Sequence, residues 1–153
     1  TEIYTLSLHD ALPICKMCNL DNANSTEIVA DTKNPIIDLL PEQKQETNMG
    51  GSLRLGANEI KINQDSLAYK IYNSNKISKR HRHRYEFNTK YREEFLKNGM
   101  IFSGESDNGK RMEILEIPSH KFFFGVQFHP EFNSRPGFPE QAFKSFVTAS
   151  SQN

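Results

Sequence analysis

Phe122-Phe123-Phe124-Gly125-Val126-Gln127-Phe128-His129-Pro130-Glu131-Phe132 is an apolar run that ends abruptly in a histidine, with a carboxylate two residues on. Phe122 to Phe128 is aromatic or apolar at nearly every residue, the composition of a strand buried on both faces of a sheet. Pro130 has no N–H to give to a ladder, so the sheet is expected to stop there. His129 and Glu131 then stand at the carboxyl edge of a strand, where open α/β sheets place their ligands. A histidine whose tautomer and orientation are held by a carboxylate is how a general base is built. Two solvated polar residues at a strand end are the alternative, and periodicity does not separate the two.

Working outward, Met100-Ile101-Phe102-Ser103 and Met112 to Ile117 flank Asp107-Asn108-Gly109, and Asn-Gly between apolar runs is a strong hairpin signal. Thr89 can cap a helix from Lys90 to Lys97 that stops at Asn98-Gly99, and Asp65 or Ser66 can cap one running to about Tyr72. Ser52 to Gly56 and Glu59 to Ile62 read as short strands able to pair with each other, and Arg82 to Phe87 as another. About Glu140 to Thr148 forms a last helix with Phe143, Phe146 and Val147 at core spacing. Cys15 to Met49 is mostly polar around one apolar island, Ile36 to Leu40.

The chain of 153 residues suits a single domain. Its 19 basic and 19 acidic side chains cancel, so no global field draws in nucleic acid or a membrane surface. No apolar run approaches bilayer length. The 2 cysteines are too few for a disulfide framework, which points to a reduced, cytoplasmic setting. Cys15-Lys16-Met17-Cys18 has neither a second Cys-x-x-Cys nor a preceding strand, and reads as a chance pair on a helix rather than a redox or zinc motif.

Lys76 to Tyr85 carries five cations, two histidines and no acid. As a strand it sets Arg80, Arg82 and Arg84 on one face and His81, His83 and Tyr85 on the other. Three arginines in a row favour binding an anion, a carboxylate or phosphate, over a merely solvated edge. No metal site is expected, because His81 and His83 lack a Cys or Asp partner at ligand spacing.

Taken together, Asn24-Ser25-Thr26-Glu27, Gly50 to Gly56, Arg80-His81-Arg82-His83-Arg84-Tyr85-Glu86, Phe102-Ser103-Gly104, Gln127 to Phe132 and Ser134-Arg135-Pro136 resemble the C-terminal class I glutamine amidotransferase domain of the CTP synthase family, from roughly Cys18 to Ala149. The resemblance implies an α/β, partial flavodoxin-like fold with a central, mostly parallel sheet and added antiparallel hairpins. It implies a glutaminase in which a cysteine thiolate attacks the amide of L-glutamine, releasing ammonia and a thioester that water hydrolyses. By resemblance His129 activates the cysteine, Glu131 orients His129, and Glu27 and Arg84 hold the glutamine. The ammonia would aminate UTP in a synthase domain using ATP and Mg2+, with GTP as allosteric effector and a homo-oligomer as the complete enzyme.

The family's nucleophile sits on a Gly-x-Cys-x-Gly elbow, and no such turn occurs in these 153 residues. The chain is therefore expected to hold the C-terminal part of the domain over residues 15–150, with a short tail at 151–153. Residues 1–14 match nothing in the family and are expected to be a foreign or disordered leader outside the fold. So constituted, the chain would be inactive alone. Two other readings stay open: a non-catalytic nucleotide or nucleic-acid binding module built on the Arg80–Arg84 row, and an amidotransferase feeding another acceptor.

Overall fold

The computed structural model describes residues 4–7 (backbone only), 17–39 and 54–151. In chain order its elements are β1 (Tyr4–Ser7), β2 (Ala23–Ser25), β3 (Asn34–Asp38), β4 (Arg54–Ile62), α1 (Leu67–Tyr72), β5 (Lys76–His83), β6 (Glu86–Phe87), α2 (Arg92–Lys97), β7 (Ile101–Ser106), β8 (Arg111–Glu116), β9 (Phe123–Val126) and α3 (Gln141–Ser151). Six strands form one sheet in the order β1-β9-β8-β7-β4-β5, and three form a second in the order β2-β3-β6.

The phenylalanine run is buried on both faces, as its composition requires. Phe123 packs with Ile36, Ile37, Phe87, Phe95, Phe102 and Leu115 on one side of the large sheet. Its neighbours Phe122 and Phe124 face the other way, against Ile60, Ala68, Tyr72, Ile114, Phe128 and Ala142. The small sheet and α2 cover the first face, while α1 and α3 cover the second. Each fully buried phenylalanine contributes about 1.5–3 kcal/mol.

The fold is α/β, as expected, while the strands this chain contributes are mostly antiparallel, unlike the mostly parallel central sheet that the resemblance implies. Among the described strands, β1–β9 and β2–β3 are the parallel pairings, and the others are antiparallel. Connection length is the reason. A parallel crossover takes a dozen or more residues, whereas β7 reaches β8 through the Asp107–Lys110 turn and β8 reaches β9 through Ile117 to Phe122. At that first turn Asp107, Asn108 and Gly109 all have positive φ (50°, 55° and 83°), which Asn and Gly tolerate best.

Residues 1–14 were expected to lie outside the fold, yet Tyr4–Ser7 runs parallel to β9, from Tyr4 opposite Phe123 to Ser7 opposite Val126. The physical reason is the edge itself. Without β1, β9 would present a row of unpaired N–H and C=O groups, which any short extended segment can satisfy. Residues 8–16, Cys15 among them, and residues 40–53 with Gly50 to Leu53 lie outside the described residues.

Other elements shift by small, explicable amounts. The two short strands expected at 52–56 and 59–62 are one continuous β4, which Gly56 (φ 89°) allows to bend; it pairs with β5 along its length, from Arg54 opposite His83 to Lys61 opposite Lys76. Ser66 caps α1 by accepting from the Tyr69 N–H at 3.1 Å. Asn88, one residue before the expected Thr89, accepts from the Lys90 N–H and starts a 3-10 turn that leads into α2. Gly99 (φ 80°) follows that helix as read.

Candidate active site

Glu113 builds the floor beneath the candidate site. This fully buried carboxylate points from β8 between apolar neighbours and meets Arg54 of β4 at 2.6 Å. Ser106 of β7 lies between them, donating to Glu113 and accepting from Arg54 at 3.0 Å. Beside this cluster, buried His81 and His83 of β5 meet Nδ1 to Nε2 at 2.9 Å. Burial, helped by the Arg54 cation, holds both imidazoles down at about 3, so they are neutral. Nearby Arg111 of β8 pairs with buried Glu86 of β6 and ties the two sheets together. Burial raises the Glu86 carboxyl above its usual range, against the pull of Arg111 and Arg54.

The segment after β9 lies across this floor. The Gln127 N–H donates to the Glu113 carbonyl at 2.9 Å, and the His129 N–H donates to the Arg80 carbonyl at 2.9 Å. The large sheet therefore curls until its edge strand β5 returns to the chain leaving β9. Pro130 then opens a 3-10 turn, Pro130–Asn133. Within it the Glu131 carboxylate takes the His129 Nδ1 at 2.6 Å, and Phe132 packs 5.3 Å from the imidazole, centroid to centroid. The carboxylate can only accept, so the hydrogen sits on Nδ1 and Nε2 keeps its lone pair. The ring is about one-third exposed (35%), which leaves it open to a ligand.

Arg84 occupies the bend between β5 and β6, half-buried. The carbonyl of the next residue, Tyr85, receives both His83 Nδ1 and Gln127 Nε2, each at 3.2 Å. Arg84 is thereby tied to the same segment as His129.

Glu27 follows β2, exposed, in a turn made by the Thr26 N–H bonding to the Ile37 carbonyl (3.0 Å) and the Glu27 N–H bonding to Ser25 Oγ (3.2 Å). In the small sheet, β2 and β3 run parallel while β6 returns antiparallel, with Asp38 opposite Glu86. That register sets Glu27, just past the end of β2, and Arg84, just before β6, at the same end of the sheet. The topology thus sets Glu27 and Arg84 at one end of the small sheet and brings His129 and Glu131 into direct contact.

The alternation expected for Lys76 to Tyr85 holds as far as His83, with Arg80 and Arg82 exposed and His81 and His83 buried, but β5 ends there, and Arg84 and Tyr85 lie half-buried in the bend instead of continuing the two faces. Cys18 is buried against the Ile36 and Ile37 core, in keeping with a structural role. Among the described residues, no group of three or more His, Cys, Asp or Glu side chains converges as a metal site would need.

Gln127 and the Arg54–Glu113 pair escaped the sequence reading. A signal for Glu113 was present, an acid inside an apolar strand run, Met112 to Leu115, which must find a cation or a proton. Nothing in the sequence pointed to Gln127 as a donor to Tyr85.

Residues 20–149 match the family described as glutamine amidotransferase class-I. The chain belongs to that family. It is 54% identical over 131 residues to the CTP synthase of Staphylococcus saprophyticus, covering 86% of this chain and 24% of that protein. To the CTP synthase of Archaeoglobus fulgidus it is 54% identical over 127 residues, 83% of this chain and 24% of that one. Among solved structures it superposes on the glutaminase domain of Trypanosoma brucei CTPS with bound acivicin, with a TM-score of 0.84 and 33% identity, covering 96% of this chain and 59% of that one. This amidotransferase chain spans about a quarter of the length of the curated relatives it matches. No helix among its described residues is long and apolar enough to cross a membrane.

Proposed function

We propose that this chain carries the glutamine-binding and base-supplying part of the glutaminase of a CTP synthase. The observation that carries this is the His129–Glu131 pair at 2.6 Å, in a segment hydrogen-bonded to the strand that leads into Arg84. Sequence identity above one half to CTP synthases favours UTP as the eventual ammonia acceptor over other acceptors. In the chemistry we propose, Arg84 pairs with the α-carboxylate of glutamine and Glu27 with its ammonium group or an amide N–H. His129 Nε2 takes the proton of a cysteine thiol as the sulfur attacks the side-chain amide carbon. The imidazolium, stabilised by Glu131, returns that proton to the departing nitrogen, so ammonia leaves and a thioester remains. His129 then draws a proton from water, whose oxygen displaces the sulfur and frees glutamate.

The ammonia serves a synthase domain that binds UTP, ATP and Mg2+, in a cytoplasmic enzyme. The nucleophile is not supplied by these 153 residues, because Cys18 is buried and no Gly-x-Cys-x-Gly elbow occurs. Two preparations test this. The 153-residue chain alone should release no ammonia from glutamine above background. A chimera in which residues 20–149 replace the matching stretch of the S. saprophyticus CTP synthase should release it. Turnover by the chain alone that disappears in His129→Ala would make Cys15 or Cys18 the nucleophile and overturn this part of the reading.

A further inference from the structure

We infer that His83 and Gln127 are positioning residues for glutamine binding: together they clamp the Tyr85 carbonyl and hold Arg84 in register with the segment that carries His129. The inference rests on the roles proposed above for Arg84 and His129. The chain leaves β5 at His83, bends at Arg84 and re-enters a strand at Glu86. His83 Nδ1 reaches the Tyr85 carbonyl at 3.2 Å and closes a ring of side chain and backbone around Arg84. Gln127 Nε2 takes the same oxygen at 3.2 Å from the opposite segment. A carbonyl has two lone pairs, so it can accept both donors.

Gln127 spends its amide on this contact alone. Its Oε1 is buried and meets no hydrogen-bond partner. Leaving a buried acceptor unused is unfavourable, and the contact that holds this side chain is the one its donor makes. The ring network beneath is equally one-directional. The Tyr85 carbonyl only accepts, which puts a hydrogen on His83 Nδ1 and leaves a lone pair on Nε2. That lone pair accepts from His81 Nδ1 at 2.9 Å. His81 Nε2 then faces Glu113 Oε2 at 3.8 Å, beyond hydrogen-bond reach, and neither atom has another hydrogen-bond partner. The charged and titratable groups around the pair are Arg54, Arg111, Glu113 and His129, and the arginine cations favour neutral imidazoles. Both rings thus keep the tautomer that supplies the donor.

The test uses the chimera with the S. saprophyticus enzyme. Gln127→Glu keeps shape but presents a carboxylate to the carbonyl, and His83→Phe keeps a ring without a donor. Each should raise KM for glutamine about tenfold while kcat changes little, the pattern of lost binding rather than lost chemistry. His83→Asn, whose amide nitrogen can stand where Nδ1 stood, should recover most of the wild-type KM. Synthesis driven by added ammonia bypasses this site and reports folding. If either variant fails that check, Gln127→Met and His83→Leu carry the same expectation. Arg84→Ala separates the two levels of inference: an unchanged KM there would overturn the role proposed for Arg84. A raised KM in Arg84→Ala, with the Gln127 and His83 variants within twofold of wild type, would overturn the clamp. A fall in kcat at constant KM in the clamp variants would overturn it too.

Discussion

Glu113 has no solvent around it, and its charge is answered by Arg54 at 2.6 Å from two strands away. Removing one partner of such a pair strands a buried charge, at about 3–5 kcal/mol. Arg54→Met should therefore lower the unfolding free energy by that order in chemical denaturation, and a loss under about 1 kcal/mol would show that water reaches the pair. The neighbouring imidazoles set an acid limit on stability. His81 and His83 bind a proton below 6.5 when unfolded but only near 3 when folded. Between those values the unfolded chain holds more protons, so stability is fully present above about 6.5 and falls as the pH drops toward 3. The slope is at most about 1.4 kcal/mol per pH unit for each imidazole. Glu86, raised by burial, works in the opposite direction above its ordinary value of 4.5 and adds nothing below it. Urea midpoints at pH 7, 5.5 and 4 should fall in that order, and a flat profile would mean that the rings are charged in the fold. At this scale the sequence pointed to the His129–Glu131 pair because Pro130 breaks the apolar run between them, although β9 itself ends earlier than expected, at Val126. It did not reveal Gln127, whose partner is a main-chain carbonyl and leaves no mark in residue types.

Elements were legible wherever the cause was local. The Asp107-Asn108-Gly109 turn, the Ser66 cap and the Gly99 stop all follow from backbone preferences of the residues concerned. What was not legible came from contacts distant in sequence. The first turn of α1 is also capped from outside: Glu116 at the end of β8 accepts the Leu67 and Ala68 N–H groups at 2.9 and 2.8 Å. Ser66→Ala should cost about 1 kcal/mol, and Glu116→Ala more, since it leaves two N–H groups without an acceptor; equal melting temperatures for the two variants would contradict this. Strand β7 meets β8 so closely at Gly104 that an added Cβ would lie 2.6 Å from Ile114 Cγ1. Ile114 is fully buried, so Gly104→Ala should destabilise by about 1–3 kcal/mol through overpacking. A melting temperature equal to wild type would show that the strands can separate there.

At the scale of the molecule, the large sheet has two protected faces and curls until His129 meets Arg80. The α/β class could be read from the doubly buried Phe122–Phe128 run, whereas the antiparallel majority could not, because periodicity carries no strand direction. Protection should follow the layers: amides of β8 and β9 at their shared pairing should exchange slowest, and those of β1, paired on one side only among the described residues, much faster. Uniform exchange across β1, β8 and β9 would show that Tyr4–Ser7 is as integral as the central strands. In the proposed function this curl matters because it brings the His129 segment back to β5, the strand that leads into Arg84. The most direct test of that claim compares two nitrogen sources in the chimera with the S. saprophyticus enzyme. In His129→Ala, glutamine-driven CTP formation should fall by about 10²-fold or more while formation driven by added ammonia stays at the wild-type rate. An equal rate with glutamine in the variant and the wild type would contradict the account.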